Sequence, residues 1–116
     1  MKANELRTGN YVMYSSLIQV NGYKIAECEE HPTRFGPIQL TEEWLLKFGF
    51  TEKYKSIHNS WTKNGSNIFQ LSDYEDEEGE LMNEFYYEGN VHVKYVHQLQ
   101  NLYFALTEKE LTFKSE

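Results

Sequence analysis

The chain has little of several things that define whole classes of protein. Its 116 residues include one cysteine, which excludes a disulfide scaffold and a zinc site built on cysteines. The longest unbroken apolar run covers residues 102–106, whereas a membrane-spanning helix needs about 20 apolar residues. Residues 1–5 do not have the pattern of a secretory signal. We therefore expect a cytoplasmic protein with a single hydrophobic core.

Positive charge is also scarce, because 11 Lys and Arg stand against 18 Asp and Glu and give a net charge of −7. The whole excess lies in residues 73–84, since the remainder of the chain carries 11 acidic and 11 basic residues. Such a segment repels phosphate, which disfavours direct binding of nucleic acid. The pattern predicts a solvated hairpin tip, with a cation site or a surface that imitates nucleic acid as alternatives. Its acidic residues are Asp73, Glu75, Asp76, Glu77, Glu78, Glu80 and Glu84.

Aromatic residues are abundant, with nine Tyr, seven Phe and two Trp, and this composition is typical of a folded chain. The N-terminal part contains short segments rich in Val, Ile and Tyr, which predict strands. Asn21-Gly22 suits a two-residue hairpin turn, because both central positions of a type I′ turn need positive φ. The predicted strands are residues 10–14, 17–21, 23–28 and 38–40. Together they predict a small β-barrel-like module over residues 1–40.

The rest of the chain, residues 41–116, predicts two helices and an antiparallel meander. Thr41 is a predicted N-cap for a short helix that places Trp44, Leu45 and Phe48 on one face. The last helix, about Val96 to Leu106, carries an apolar stripe. The stripe comprises Tyr95, Val96, Leu99, Leu102, Tyr103 and Leu106. Four strands are predicted between the helices, at residues 50–62, 67–74, 81–88 and 91–95. The fold class is therefore α+β, and residues 41–116 are expected to share one continuous core with the N-terminal module.

Three phrases of the sequence carry a resemblance: residues 6–12 (LRTGNYV), 40–50 (LTEEWLLKFGF) and 95–107 (YVHQLQNLYFALT). The first resembles the start of many Src-homology-3-like barrels. Together the three resemble a family of short uncharacterised proteins encoded by phages and integrated mobile elements of anaerobic gut-type bacteria. The resemblance implies a cytoplasmic protein in such a setting, without an activity, a cofactor or site residues. In that family Gly often follows the Thr at position 107, whereas Glu108 here argues against a left-handed end to the last helix.

No catalytic residue, metal ligand or cofactor site is predicted. An EF-hand beginning at Asp73 would need Gly at its sixth position, where Glu78 stands. The pairs Cys28/His31 and His92/His97 are three and five residues apart, so neither has the four-residue spacing of a His-x-x-x-His site on one helix face. Acidic neighbours raise the pKa of the Cys28 thiol, so it is a poor nucleophile.

One surface is singled out as a candidate binding patch on the far side of the last helix, formed by His97, Gln100, Asn101 and Phe104. An aromatic side chain among amides resembles an interface anchor, unless the N-terminal module covers it. The sequence thus predicts a non-catalytic binding or accessory protein that acts through protein–protein contact or self-association. The alternative is an acidic nucleic-acid mimic that occupies a host DNA-binding protein, and a small enzyme comes third.

Overall fold

A computed structural model of the protein describes residues 1–52, 58–63, 70–75, 81–87 and 91–111. The chain divides into two compact units. Unit 1 comprises Met1–Gln39 and Tyr95–Glu110, and unit 2 comprises Leu40–Lys94 and Leu111–Glu116. The residues of the last predicted helix thus belong to unit 1 together with the N-terminal residues.

Unit 1 begins with a 3₁₀ turn at Ala3–Glu5, followed by the antiparallel strands β1 (Tyr11–Tyr14) and β2 (Ser16–Gln19). Val12 lies opposite Ile18, and both side chains belong to the apolar core of this unit. Ser15 alone connects the strands and has φ 56°, in the left-handed region that non-glycine residues rarely adopt. The first two predicted strands are therefore confirmed, with the second ending two residues earlier than expected.

The third predicted strand, residues 23–28, is wrong, because these residues lie in helix α1 (Gly22–Glu30). The side-chain oxygen of Asn21 accepts a hydrogen bond of 2.9 Å from the Lys24 N–H, which is the geometry of an N-cap. Asn before Gly suits a hairpin turn and a helix start equally well. The three-residue spacing of Ile25 and Cys28, which turn toward the core together, favours the helix.

The barrel-like module is not confirmed. A 3₁₀ turn at Pro32–Arg34 follows α1, and Gly36 then makes an isolated bridge to Met13. The predicted strand at residues 38–40 is reduced to a single bridge between Gln39 and Tyr95. Among the described residues unit 1 contains a two-stranded sheet and no closed barrel, since α1 takes the residues that a third strand would need.

Helix α3 (Val96–Thr107) completes unit 1 and agrees with the predicted helix to within one residue. Leu99 and Tyr103 of the predicted stripe are buried, whereas Leu106 is exposed. The helix ends at Glu108 with φ 62°, and the Glu108 N–H donates to the Phe104 carbonyl at 2.7 Å. The expectation that Glu108 would not form a left-handed helix end is therefore wrong.

The described residues of unit 2 form one helix and a five-stranded antiparallel meander. The predicted N-cap Thr41 precedes α2 (Glu42–Lys47), in which Leu45 is buried and Trp44 is half-buried. The predicted strand at residues 50–62 is two strands, which pair with Phe50 opposite Lys63. The strands lie in the order β3 (Phe50–Glu52), β4 (His58–Lys63), β5 (Gln70–Glu75), β6 (Leu81–Tyr87) and β7 (Val91–Val93). The α+β class is thus confirmed.

The acidic segment falls partly outside the described residues. Asp73 and Glu75 lie in β5, where the pairing with β6 shifts register between them. Asp76, Glu77, Glu78 and Glu80 lie outside the described residues, so the predicted hairpin tip there stays a prediction.

Candidate protein-binding surface

The candidate patch on α3 is largely enclosed within unit 1. His97 and Gln100 are buried, Asn101 is half-buried, and Phe104 keeps 36% of its surface exposed. The residues that cover them belong to the N-terminal segment of the same unit. Of the two alternatives that the sequence left open, coverage by the N-terminal part is the one that this geometry supports.

Gln100 binds the backbone at the entry to β1. Its Oε1 accepts the Tyr11 N–H at 2.8 Å, and its Nε2 donates to the Gly9 carbonyl at 2.9 Å. A buried amide with both ends bonded adds directional contacts, whereas an apolar side chain here would remove the acceptor of the Tyr11 N–H. Gln100 thus occupies the position that a neighbouring strand would take beside Tyr11.

Asn101 extends these contacts to two further points of the N-terminal segment. Its Oδ1 accepts from Asn10 Nδ2 at 2.9 Å, and its Nδ2 donates to the Glu5 carbonyl at 2.9 Å. Arg7 Nε also donates to Asn101 Oδ1, at 3.0 Å. Gln100 and Asn101, which were predicted to surround an interface anchor, therefore form hydrogen bonds within unit 1.

One face of Phe104 is covered by Arg7. The Arg7 guanidinium carbon lies 4.2 Å from the centre of the Phe104 ring, within the range of a cation–π contact. Arg7 Nη1 also pairs with Glu110 Oε1 at 2.7 Å, so the cation is held from two sides. This arrangement covers one face of Phe104 and leaves the 36% of its surface that remains exposed without the amide rim that was predicted around it.

His97 is buried against the N-terminal 3₁₀ turn. Its Nε2 lies 3.3 Å from Glu5 Oε1, and because a carboxylate only accepts, Nε2 carries the proton. Nδ1 is buried without a hydrogen-bond partner. Burial lowers the pKa of His97 below its usual range, and the Glu5 carboxylate opposes part of that effect. The pKa of Glu5 is itself lowered, chiefly by the hydrogen bond that it accepts from the Lys2 N–H.

The β1–β2 hairpin presents the exposed apolar pair of unit 1. Met13 and Leu17 lie directly opposite each other on the outer face of the hairpin, and each keeps 43% of its surface exposed. Neither residue has a charged neighbour along the chain, because residues 8–23 contain no Asp, Glu, Lys, Arg or His. In a chain that is 25% charged, this run without charge is the signal that sequence reasoning missed.

The two edges of this hairpin differ. Met13 exchanges two backbone hydrogen bonds with Gly36, of 3.0 and 2.9 Å, so the backbone groups of Met13 point away from β2. In an antiparallel pair, the residue opposite then also points its N–H and C=O outward. That residue is Leu17, and the same alternation applies to Gln19 opposite Tyr11.

The outward backbone groups of Leu17 and Gln19 form the open β2 edge. Among the residues that the structure describes, neither backbone has a hydrogen-bond partner at this edge. Ser16, Leu17 and Gln19 are all exposed. The open β2 edge therefore offers two N–H donors and two C=O acceptors to an added strand.

A cleft and one buried thiol are further features of the described residues. A cleft of about 480 Å³ lies beside α1, but its charged side chains, Lys2 and Glu29, are both exposed. Cys28 lines it as a buried thiol whose pKa is raised by burial, which keeps the sulfur protonated. In the described ranges no three His, Cys, Asp or Glu side chains come close enough to hold a metal ion together.

No protein-family model, curated protein or solved structure matches the chain. Of the helices in the described part of the chain, none has both the length and the apolar character that crossing a membrane requires. The assignment of the open β2 edge as a binding surface therefore rests on its outward backbone groups and exposed side chains.

Proposed function

We propose that the protein is a non-catalytic binding protein that acts through protein–protein contact, and that the open β2 edge is its contact surface. One observation carries the proposal: the outward backbone groups of Leu17 and Gln19 lack partners among the described residues. The cytoplasm of a phage- or mobile-element-bearing cell is the setting that the sequence resemblance supports. The surface differs from the α3 patch, whose amides contact the N-terminal segment.

The mode of binding that this edge supports is strand addition. An extended segment laid along β2 would form main-chain hydrogen bonds with Leu17 and Gln19, and these bonds supply affinity with little dependence on sequence. Side-chain contacts with Leu17, Met13 and the half-buried Ile18 would supply selectivity. Exposed edges in native proteins are usually protected by Lys, Pro or a bulge, and β2 has none of these.

The chemistry of the edge favours a polypeptide over a nucleic acid. Phosphate contacts need Lys or Arg, and residues 8–23 contain neither. Leu17 and Met13 instead expose aliphatic surface that gains free energy when water is excluded from it. The partner segment is therefore expected to be extended, and apolar where it meets Leu17.

The test compares two leucines of equal exposure. Leu17→Lys places a charge on the open β2 edge, whereas Leu106→Lys makes the same change on α3, where Leu106 is 46% exposed. Each variant and the wild type are immobilised, and retention is quantified both from a lysate of the source cells and from a solution of the free wild-type chain at about 1 mM. We expect one stoichiometric partner to bind the wild type and Leu106→Lys and to be lost from Leu17→Lys. Equal retention by all three proteins would contradict the proposal.

A second candidate function is supported by the concentration of negative charge. The segment 73–84 contains seven acidic residues and no basic one, and this density is what a mimic of nucleic acid would use to occupy a DNA-binding protein. Displacement of DNA from such a protein, lost when Glu75, Asp76, Glu77 and Glu78 are replaced by their amides, would favour it. Displacement that survives these replacements would exclude the acidic segment as the cause.

A further inference from the structure

We infer that the strand which fits the open β2 edge is β2 of a second copy of this chain, so that the protein self-associates through an antiparallel β2–β2 contact. The inference rests on the proposed function and names its partner. Its basis is the positions of the outward backbone groups, the absence of charge along the strand, and the side chains that the pairing brings together.

The positions of the outward backbone groups fit a two-fold axis. Leu17 and Gln19 point outward, and Ile18 between them points its backbone toward β1. An antiparallel copy of the same strand, centred on Ile18, places Leu17 opposite Gln19 of the second copy, and Gln19 opposite its Leu17. Each of these two pairs exchanges two N–H···O bonds, so the contact contains four main-chain hydrogen bonds. The edge is therefore complementary to itself in register.

Charge selects the second copy over an acidic or basic segment. A basic partner strand would meet no carboxylate on residues 8–23, and an acidic one would meet no Lys or Arg. An uncharged strand loses no ionic solvation when it pairs at this edge. The chain's own β2, Ser16-Leu17-Ile18-Gln19, is such a strand and lies at the centre of a 16-residue run without charge. Copies that carry −7 each approach most readily at a segment of this kind.

The side chains support the same register. Ile18 is half-buried and packs against the core of unit 1, and in the paired state it faces Ile18 of the second copy. Two β-branched side chains at a non-hydrogen-bonded position stabilise a strand pair. On the outer face, Leu17 and Met13 become part of a four-stranded surface. The inner apolar row of the hairpin thus continues across the contact, whereas on the outer face Leu17 meets Gln19 of the second copy.

The contact is small, so the association is expected to be weak. Two residues on each edge bury far less than the area of a standard protein interface, and a dissociation constant on the order of 100 µM follows for such a contact. Sedimentation equilibrium over about 10 µM to 1 mM covers this range. Wild type that remains monomeric throughout would overturn the inference.

A charge exchange tests the register. In Leu17→Lys/Gln19→Lys each lysine faces a lysine of the second copy, and in Leu17→Glu/Gln19→Glu each glutamate faces a glutamate. Like charges directly opposite on paired strands destabilise the pair, so each variant alone should associate at least about tenfold more weakly than the wild type. An equimolar mixture places opposite charges together, and its association should return to the wild-type level or exceed it.

Met13 supplies the matched control. Met13→Lys and Met13→Glu alter a side chain as exposed as Leu17, but on β1, one strand away from the edge. The dissociation constants of these variants should lie within about threefold of the wild-type value, since a side chain on the far strand contributes only modestly to the stability of the β2–β2 pair. Losses as large as those at residues 17 and 19 would show that copies meet through the outer face, which would overturn the β2–β2 contact.

The outcomes separate this inference from the proposed function. If the wild type stays monomeric while Leu17→Lys abolishes binding of a different protein, the second copy is excluded and the open β2 edge remains a binding surface. If the wild type dimerises and the charged variants dimerise equally, the edge is excluded as the contact. Circular dichroism checks that the variants are folded. Should they unfold, amide hydrogen exchange of the wild type decides, because the Leu17 and Gln19 amides must exchange more slowly as concentration rises.

Discussion

The Oε1 atom of Gln100 accepts the backbone N–H of Tyr11 at 2.8 Å. A side chain of α3 therefore occupies the edge of β1 that points away from β2. Gly36 closes the same edge one step further along, at Met13. Since both closures lie on β1, the remaining edge of the two-stranded sheet is that of β2. The amides of α3 thus explain why the hairpin has one satisfied edge and one open edge.

We predict that Gln100→Met lowers the free energy of unfolding by about 1–3 kcal/mol, because the near-isosteric side chain removes the acceptor of the buried Tyr11 N–H. The Gly9 carbonyl also loses the Gln100 donor but still accepts from Gln19 Nε2 at 3.1 Å. Gln98→Met is the matched control on the same helix. Gln98 is exposed, and its side chain accepts the Tyr95 N–H in a capping contact, so its replacement should cost less than about 1 kcal/mol. Urea denaturation measures both values, and equal losses would contradict the buried role of Gln100.

We predict that Leu99→Ala destabilises the protein by roughly 2–5 kcal/mol, because the Leu99 side chain is fully buried and its removal leaves a cavity. Leu106→Ala on the same helix should change stability by less than about 1 kcal/mol, since Leu106 is exposed. Thermal and urea unfolding of the two variants check the orientation of α3. A larger loss from Leu106→Ala would mean that the helix faces the other way.

We predict that Glu108→Gly stabilises the protein by about 0.5–1 kcal/mol. Glu108 has φ 62°, where a side chain with a Cβ is strained and glycine is not, and part of the gain is offset by the greater freedom of glycine in the unfolded chain. Lys109→Gly, one residue beyond the positive-φ position, should be neutral or destabilising. A loss of stability in Glu108→Gly would contradict the left-handed helix end.

We predict that His97 makes the protein less stable as pH falls. Burial holds the pKa of His97 below that of the unfolded chain, about 6.5, so the unfolded state binds the proton more readily. Stability should therefore decline as pH decreases from about 7.5 toward the folded-state pKa, and this component should be absent in His97→Gln. Urea midpoints above pH 5 measure the effect apart from the titration of Glu5.

The sequence predicted the elements whose pattern is local. One face of α3 and of the strands β6 and β7 is buried, and apolar residues recur along the sequence with the matching period. This pattern placed the apolar residues of α3, Phe85 of β6 and Val93 of β7. The helix α1 could not, because Asn21-Gly22 suits two different structures and the choice depends on the packing of Cys28. The amides of α3 were identified, but their partners lie about 90 residues away in sequence, at Tyr11 and Gly9.

The open edge lay beyond sequence reasoning for a similar reason. Whether a strand is paired depends on where distant backbone segments lie, and Gly36 carries no side-chain signal of its bridge to Met13. The uncharged run of residues 8–23 is visible in the sequence, but it is equally compatible with a buried hairpin. Exposure of Met13 and Leu17 in the structure distinguishes these alternatives.

The most direct measurement for the open β2 edge is residue-resolved amide hydrogen exchange along β2. In dilute protein, the register predicts a protected Ile18 amide, which faces β1, between rapidly exchanging Leu17 and Gln19 amides. At about 1 mM protein, or with a bound partner segment, the Leu17 and Gln19 amides should become slow as well. Leu17 and Gln19 amides that are already protected in dilute protein, or that exchange at the same rate under every condition, would contradict a binding edge at β2.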